Sequence, residues 1–290
     1  MKFNSYSEYP YDIVDDIETI KAILDLSDED LSVICGASIK DILSLDPYNP
    51  NKDIADKIYD YAYENGLHIN QIKWYEFSDY ATGDTKILSH GSRSGIKGTI
   101  RVDVSDEKAD FGKGFYCGQS IEQAGMFVSN DKDSSIYILS FDGEGLKPIK
   151  FNVSTDWLLA VSFYRQTLGE YADSERVRKI IDKIEKADYV IAPIADNKMF
   201  ETIDLFTKGE ITDAQCKHAL SATYLGNQYV FKTDKCVDHL DILNRCYICP
   251  LERKDYNVEA DVETRTSLYK AKKAKYKFAD KGQYIDELLR

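Results

Sequence analysis

Two short segments carry residues whose types and spacing suit ligand binding. In the first, Ile87–Ser92, an apolar run ends in Ser-His-Gly-Ser, and the second, Asp110–Tyr116, reads Asp-Phe-Gly-Lys-Gly-Phe-Tyr. A glycine at the end of a buried strand lets the backbone approach a ligand closely, because no Cβ lies in the way. The Gly-Lys-Gly sequence followed by two aromatic residues predicts a tight turn that leads into a half-buried strand.

Together these segments predict a site for a flat, polar heterocycle such as nicotinamide. A histidine and a glycine backbone offer hydrogen bonds to the rim of the ring, and an aromatic side chain offers a face for stacking. The residues expected to do this are His90, Gly91 and Tyr116. Each has a simpler explanation when taken alone, since a single histidine before Gly-Ser is often structural, and Tyr116, as one of 21 tyrosines, would pack in the core or on the surface.

A third segment, Gly226–Phe231, is the only β-rich run late in the chain with a polar residue at its start. Its sequence, Gly-Asn-Gln-Tyr-Val-Phe, predicts a strand that presents the side chain of Gln228. Taken alone, Gln228 would be a surface residue of that strand. Taken with the first two segments, it predicts that the imidazole of His90, the phenol ring of Tyr116 and the carboxamide of Gln228 line one cleft.

The three segments resemble the ADP-ribosyltransferase superfamily, in its diphtheria-toxin and poly(ADP-ribose) polymerase branch, and most of all a bacterial family of unknown function with similar motifs. That branch has a strand ending in His-Gly-Ser/Thr, a Gly-Lys-Gly-aromatic-Tyr segment and, later, a strand that begins with a catalytic glutamate. The resemblance covers about residues 85–245. It implies an α+β fold with a split mixed β-sheet, with NAD as co-substrate and no metal.

The resemblance also implies a role for each matching residue. His90 would hydrogen-bond the ribose beside nicotinamide, the backbone of Gly91 would pair with the carboxamide, and Tyr116 would stack on the nicotinamide ring. Gln228 would orient the ribose, so that the expected catalytic set is Gln228, His90 and Tyr116. Other residues expected to contact the cofactor are Phe127 or, in its place, Met126 on the second ring face, together with Ser92, Arg93, Lys113 and Gly114.

Gln228 stands where the family has glutamate, and this difference limits the chemistry. The family glutamate accepts a hydrogen bond from the ribose 2′-hydroxyl and places negative charge beside the oxocarbenium-like transition state that forms as nicotinamide leaves. Glutamine still accepts through its amide oxygen, but it is uncharged and cannot act as a general base. We therefore expect transfer of a single ADP-ribose and no chain elongation. The alternative is a catalytically silent module that binds NAD or ADP-ribose.

Residues 1–80 predict an acidic helical domain, because they contain 17 Asp/Glu and 6 Lys/Arg, a net charge of −11 within the −13 of the whole chain. Helical spacing extends from about Ile17 to Trp74, and Ser27 and Ser38 are expected as N-caps on either side of a break at Gly36. The pattern resembles the helix-turn-helix domains of phage repressors, with 38–46 as the recognition helix. Since such a charge repels duplex DNA, we favour a packing, dimerisation or antitoxin-docking module over a nucleotide-sensing DNA-binding regulator.

Residues 81–250 predict the ADP-ribosyltransferase-like domain, after a connection over about 74–84. A polar loop that folds over a nucleotide is expected between 93 and 109. The turn residues 142–145 predict a hairpin between the strands on either side of them. Strands are expected at 87–89, 135–141, 146–151, 188–194 and 228–231, and helices at 121–127, 156–165, 174–186, 198–207 and 212–220.

Residues 251–290, with a net charge of +2 from 10 Lys/Arg and 8 Asp/Glu, are expected to form a charged helix or tail. Its basic stretch, 267–281, predicts a solvated helix, or alternatively a contact with nucleic acid or with the acidic domain. The six scattered cysteines predict reduced structural thiols. No apolar run is long enough to span a bilayer and the first residues lack the apolar core of a signal peptide, so we expect a cytoplasmic protein with no membrane contact.

These expectations combine into one functional hypothesis, an NAD-dependent mono-ADP-ribosyltransferase that modifies a macromolecular acceptor, either protein or nucleic acid. The resemblance implies a toxin–antitoxin or phage-defence setting.

Overall fold

The computed structural model describes residues 9–195, 197–221, 226–278 and 281–290, and within these ranges the chain is α+β with mixed strand pairing. Its strands are β1 (Lys86–Ser92), β2 (Phe115–Gly118), β3 (Ser135–Phe141), β4 (Pro148–Lys150), β5 (Tyr189–Pro193), β6 (Asn227–Phe231) and β7 (Leu240–Cys246). The chain forms two compact units. The described parts of Met1–Ile100, Ser120–Asp142 and Leu240–Glu259 form the first, and those of Arg101–Gln119, Gly143–His239 and Ala260–Arg290 form the second. The consecutive domains 1–80, 81–250 and 251–290 remain a prediction.

Between residue 9 and the first strand the chain forms five helices, and their ends follow local sequence signals. Ser27 accepts a hydrogen bond from the backbone of Asp30, and Ser38 accepts one from the backbone of Asp41, as N-caps do. The predicted recognition helix over 38–46 is only five residues long. The predicted connection over 74–84 is also wrong in part, because the fifth helix continues to Tyr80. The helices are α1 (Ile13–Leu24), α2 (Asp28–Cys35), α3 (Ile39–Leu43), α4 (Lys52–Glu64) and α5 (Ile69–Tyr80).

In the first unit, β3 lies between β1 and β7, and both pairings are antiparallel. Helix α6 (Ile121–Val128) packs against β1 and β3. The helical segment does not form a core on its own, since the cluster built by α1 to α5 also contains Tyr247 and Cys249 from the segment that follows β7.

In the second unit the strand order is β4-β5-β6-β2, with β4 and β5 parallel and the other pairs antiparallel. The hairpin predicted around residues 142–145 is therefore wrong, because β4 pairs with β5 while β3 pairs with β1 and β7. The core cluster of this unit is centred on helices that the sequence predicted closely. They are α7 (Thr155–Tyr164), α8 (Glu175–Glu185), α9 (Asn197–Thr207) and α10 (Asp213–Ser221).

Among the described residues after β7 there are two further helices, α11 (Pro250–Lys277) and α12 (Ile285–Leu289). The predicted C-terminal helix thus begins at Pro250, well before residue 267, and residues 279 and 280 of the basic stretch lie outside the described residues. All six cysteines are buried with free thiols. Within the described ranges, none of the helices combines the length and the apolar character needed to cross a membrane.

Candidate active site

His90, Gly91 and Ser92 are the last three residues of β1. Each is half-buried, and they lie opposite Tyr137, Ile136 and Ser135 of β3, in that order. The ring of His90 lies 6.3 Å from the ring of Tyr137, with the planes inclined by 46°. The strand predicted to end in His-Gly-Ser is therefore present, and its histidine ring lies beside Tyr137 of β3.

The segment after β1 turns back onto the same unit. Tyr137 is fully buried, and its hydroxyl accepts a hydrogen bond of 2.8 Å from the backbone N–H of Ile96. Gly95 has φ +78°, and a Cβ there would lie 3.4 Å from both the Tyr137 hydroxyl and a guanidinium nitrogen of Arg245. The first part of the loop predicted over 93–109 is thus fixed against β3 and β7. Its closure over a nucleotide stays a prediction.

Gly91 owes its residue type to helix packing. A Cβ at this position would lie 2.7 Å from the carbonyl oxygen of Ala124 and 2.8 Å from Cγ1 of Val128, both in α6. Real Cβ atoms are not found this close to backbone oxygen, so only glycine allows α6 to approach β1. The hydroxyl of Ser89 reinforces the same contact by donating a hydrogen bond to the carbonyl oxygen of Ser120, just before α6. The pairing of the Gly91 backbone with a carboxamide stays a prediction.

An exposed aromatic ring stands beside this strand end. The side chain of Phe127 is 63% exposed, although it lies close enough to β1 that a Cβ at Gly91 would be 3.4 Å from its Cδ1. The guanidinium of Arg93 lies 5.3 Å from the centre of the Phe127 ring and forms an ion pair of 3.2 Å with Asp131. Met126 packs instead against the core of the unit. Covering of a ligand ring by either residue stays a prediction.

In the second unit, side chains fasten the Gly-Lys-Gly turn. The hydroxyl of Tyr116 accepts from the backbone N–H of Phe111 at 3.1 Å and donates to the carbonyl oxygen of Gly112 at 2.7 Å. The backbone N–H of Gly114 donates to Ser105 at 2.9 Å. These bonds hold the turn in place from within the same unit, and the N–H of Gly114 is already paired with Ser105. The expected contact of Gly114 with a cofactor stays a prediction.

The glycines of this turn are required by close packing. Gly112 has φ +70°, and a Cβ there would lie 2.8 Å from the ring of Tyr164, whereas a Cβ at Gly114 would lie 2.7 Å from Cγ1 of Val230. Lys113 between them is exposed and forms an ion pair of 3.0 Å with Glu107. The predicted tight turn and the strand that follows it are confirmed.

Gln228 is buried, not on the surface, with only 6% of its area exposed. Its amide nitrogen donates to Oδ2 of Asp110 at 2.7 Å and to the carbonyl oxygen of Pro193 at 3.1 Å. Both of these partners can only accept a hydrogen bond, so the carboxamide nitrogen of Gln228 must face them and its oxygen must face away from them. Within the part of the chain that the structure describes, no protein donor bonds to the amide oxygen.

Asp110 is the centre of this network. Its Oδ1 accepts two hydrogen bonds from the guanidinium of Arg165, at 2.9 and 2.5 Å, and its Oδ2 accepts the backbone N–H of Ala195 at 3.0 Å. Arg165 also donates to the carbonyl oxygen of Ala195 at 2.6 Å, and its guanidinium lies 4.4 Å from the ring centre of Phe200. The buried Asp110–Arg165 ion pair therefore connects the start of the Gly-Lys-Gly turn with the residue that follows α7, and both side chains also bond to the backbone of Ala195 after β5.

The sequence interpretation missed Asp110 and Arg165 as parts of the site. Asp110 stands in the quoted motif directly before Phe-Gly-Lys-Gly, and an acidic residue next to a buried aromatic was the available signal. Arg165 is separated from it by 55 residues, so no local pattern connects the two. Within the described residues there is no group of three or more His, Cys, Asp or Glu side chains that could hold a metal ion.

The predicted site residues fall into two coherent local sets. The first unit contains the strand end and the exposed aromatic ring, with His90, Gly91, Ser92, Arg93 and Phe127. The second contains the rigid turn and the buried carboxamide, with Lys113, Gly114, Tyr116 and Gln228.

Comparison with known proteins gives one match. Residues 86–242, more than half of the 290-residue chain, match the family described as protein of unknown function (DUF3990). No curated protein and no solved structure matches the chain. The matched range begins at the first residue of β1 and ends within β7, so it includes every residue of the candidate site described in this section except Arg245. The chain belongs to the DUF3990 family of proteins of unknown function.

Proposed function

We propose that this protein is an NAD-dependent mono-ADP-ribosyltransferase. The observation that carries the proposal is the orientation of Gln228. Two acceptors, Asp110 and Pro193, hold its amide nitrogen, so its amide oxygen is the atom left to accept a hydrogen bond from a ligand. A fixed acceptor at the start of a strand is what the ribose 2′-hydroxyl of NAD requires in this reaction class.

The reaction is a substitution at the anomeric carbon of the nicotinamide ribose. The bond from this carbon to the pyridinium nitrogen breaks, and its electron pair leaves with nicotinamide, which becomes neutral. The acceptor nucleophile forms the new bond to the same carbon and loses a proton to solvent. Since Gln228 cannot take that proton, the proposal favours an acceptor that needs little activation as a nucleophile.

Features of the first unit support a binding role on the nicotinamide side. The exposed ring of Phe127 provides a stacking face beside Gly91, and the half-buried His90 is held at the end of β1. The proposal assigns His90 to the nicotinamide ribose and the Gly91 backbone to the carboxamide. Arg93 and Lys113, both exposed cations, are assigned to the diphosphate.

The proposal includes a biological setting, in which the protein is a toxin or defence effector that modifies a protein or nucleic acid. Its acidic helical segment would then be a docking module, for instance for an antitoxin. The short α3, Ile39–Leu43, supports this role over major-groove recognition, because a five-residue helix presents little surface to a groove.

A second candidate is a module that binds NAD or ADP-ribose without turnover. Two features favour it. Gln228 carries no charge, and the carboxylate beside it, Asp110, is paired with Arg165, so neither residue lends much negative charge to an oxocarbenium-like transition state.

The test uses NAD labelled separately on nicotinamide and on adenylate, incubated with the full chain and a lysate as source of acceptors. Release of nicotinamide with transfer of adenylate label to macromolecules supports the transferase. Saturable binding without release supports the module. His90→Ala should lose the activity, whereas His239→Ala, at another half-buried histidine, should keep it. Neither release nor binding by the wild-type protein would overturn both candidates.

A further inference from the structure

We propose that Asp110 is a positioning residue that determines which way the Gln228 carboxamide faces. Its need for a donor also explains why residue 228 is glutamine. The inference deepens the proposed function, on which it rests for the ligand. It concerns a pair of residues, 110 and 228, that act as one unit.

Asp110 is used entirely as an acceptor. Its two oxygens receive four hydrogen bonds, two from the guanidinium of Arg165, one from the backbone N–H of Ala195 and one from Gln228. Each of these partners presents an N–H, so a protonated carboxyl or a carboxamide at position 110 would place a donor against a donor. Asp110 therefore requires residue 228 to be a donor.

A second acceptor, the carbonyl oxygen of Pro193, excludes the opposite orientation of the Gln228 carboxamide. If the Gln228 amide were rotated by 180°, its oxygen would lie about where the nitrogen now is, 2.7 Å from a carboxylate oxygen and 3.1 Å from the carbonyl oxygen of Pro193. Leaving buried polar atoms repelled in this way is costly. The amide oxygen is consequently turned away from Asp110 and Pro193, where it can serve a ribose hydroxyl.

The same geometry excludes an ionised glutamate at position 228. A second carboxylate at hydrogen-bonding distance from Asp110, in a site that is 6% exposed, could not remain ionised beside the first. The carboxylate of this site thus stands at position 110 and the neutral acceptor at position 228. A single Gln228→Glu replacement cannot exchange these roles, although it would recreate the residue of the resembling superfamily.

Two replacements together can exchange them. In Asp110→Asn, the remaining oxygen must face Arg165, so a carboxamide nitrogen faces Gln228 and Ala195 and the Gln228 amide loses its acceptor. Adding Gln228→Glu to this variant supplies an oxygen that accepts from the Asn nitrogen and a second oxygen for the ligand. The Ala195 N–H and the Pro193 carbonyl oxygen remain without a matching partner, so we expect the recovery to be partial. Gln228→Glu should therefore be harmful in the wild-type background and helpful in the Asp110→Asn background.

The experiment measures NAD affinity and the thermal unfolding midpoint for wild type, both single variants and the double variant. We expect each single variant to bind NAD at least tenfold more weakly and the double variant to recover at least fivefold over Asp110→Asn. The matched control is Asp213→Asn, at a second buried aspartate of the same unit, which is paired with Lys217 and which Gln228→Glu should not rescue.

Failure of this inference is distinguishable from failure of the proposed function. If wild type binds NAD but Gln228→Glu is equally harmful in both backgrounds, the inference is overturned while the function stands. If wild type does not bind NAD, the function fails, and the unfolding midpoints decide the inference. Recovery of the midpoint in the double variant supports the coupling of residues 110 and 228, and additive losses refute it.

Discussion

The hydroxyl of Tyr116 donates a hydrogen bond of 2.7 Å to the carbonyl oxygen of Gly112, so the strand after the Gly-Lys-Gly turn holds that turn closed. The hydroxyl oxygen of Tyr116 also accepts a hydrogen bond from the backbone N–H of Phe111 at 3.1 Å. Burial raises the pKa of the Tyr116 hydroxyl, which keeps it protonated and able to donate. The stacking role proposed for Tyr116 therefore concerns its ring, while its hydroxyl has a structural task.

Because the ring and the hydroxyl of Tyr116 have different roles, two replacements of this residue should have different outcomes. Tyr116→Phe removes both hydrogen bonds and keeps the ring, so the free energy of unfolding should fall by roughly 1–3 kcal/mol while NAD affinity changes little. Tyr116→Ala should also weaken NAD binding by tenfold or more. Denaturant unfolding and calorimetric titration measure the two quantities. Equal loss of NAD affinity in both variants would show that the hydroxyl, not the ring, is what the ligand needs.

Gly91→Ala tests the contact between β1 and α6. The added methyl group would lie 2.7 Å from the carbonyl oxygen of Ala124, which belongs to the helix backbone and cannot move alone. Overpacking of this kind should lower the free energy of unfolding by about 1–3 kcal/mol. Val128→Ala in the same chain should restore part of the loss, because it removes the second close atom. An unchanged unfolding midpoint in Gly91→Ala would mean that α6 does not pack this closely on the strand.

Glu252, at the start of α11, predicts a pH dependence of stability. Burial raises the pKa of Glu252 to about 7, although Tyr256 and Asn70 donate hydrogen bonds to it at 2.9 and 2.8 Å. The folded protein thus binds a proton that the unfolded chain releases near its ordinary value of about 4.3. The contribution of this group is fully present below that value and is lost as pH rises through 7.

Unfolding free energies measured between pH 5 and 8 should show this loss in the wild-type protein. Glu252→Gln, which cannot titrate, should show a flatter profile over the same range, with the two curves diverging from the low end of the range up to about pH 7 and running parallel above it. Identical slopes for the two proteins would contradict the assignment.

The packing of the C-terminal segment predicts that Ile285 contributes strongly to the free energy of unfolding. Ile285 is 2% exposed and belongs to the core cluster of the second unit. Its segment is fixed by reciprocal backbone and side-chain bonds of 2.9 Å between Gln283 and Asp213. Ile285→Ala should lower the free energy of unfolding by about 2–4 kcal/mol, whereas Val258→Ala, at a 52% exposed apolar residue, should change it by less than about 0.5 kcal/mol. Equal small effects would show that the segment is not docked.

Local signals predicted much of the secondary structure because their physical causes are local. Ser27 and Ser38 were predicted as N-caps from their position before helical spacing, and both make the capping bond. The ends of α7 and α8 were predicted within two residues for the same reason. The turn signal at 142–145 also reports a local property, namely a change of chain direction. It carries no information about which strand is the partner, and that is where the hairpin prediction failed.

The site could be predicted only in part for a similar reason. His90, Tyr116 and Gln228 could be proposed from the sequence because each stands in a short motif. Asp110 bonds to Arg165 and Gln228, which are 55 and 118 residues away, so only the folded chain shows that its carboxylate accepts from both. The glycine at position 91 was attributed to ligand approach, whereas the close contact that requires it is with α6.

Calorimetric titration of NAD into the wild-type protein and into His90→Ala tests the central claim most directly. The account predicts saturable binding by wild type with one NAD per chain, and affinity at least tenfold lower for a His90→Ala variant whose unfolding midpoint is unchanged. Absence of NAD binding by wild type, or equal affinity in the two proteins, would contradict it.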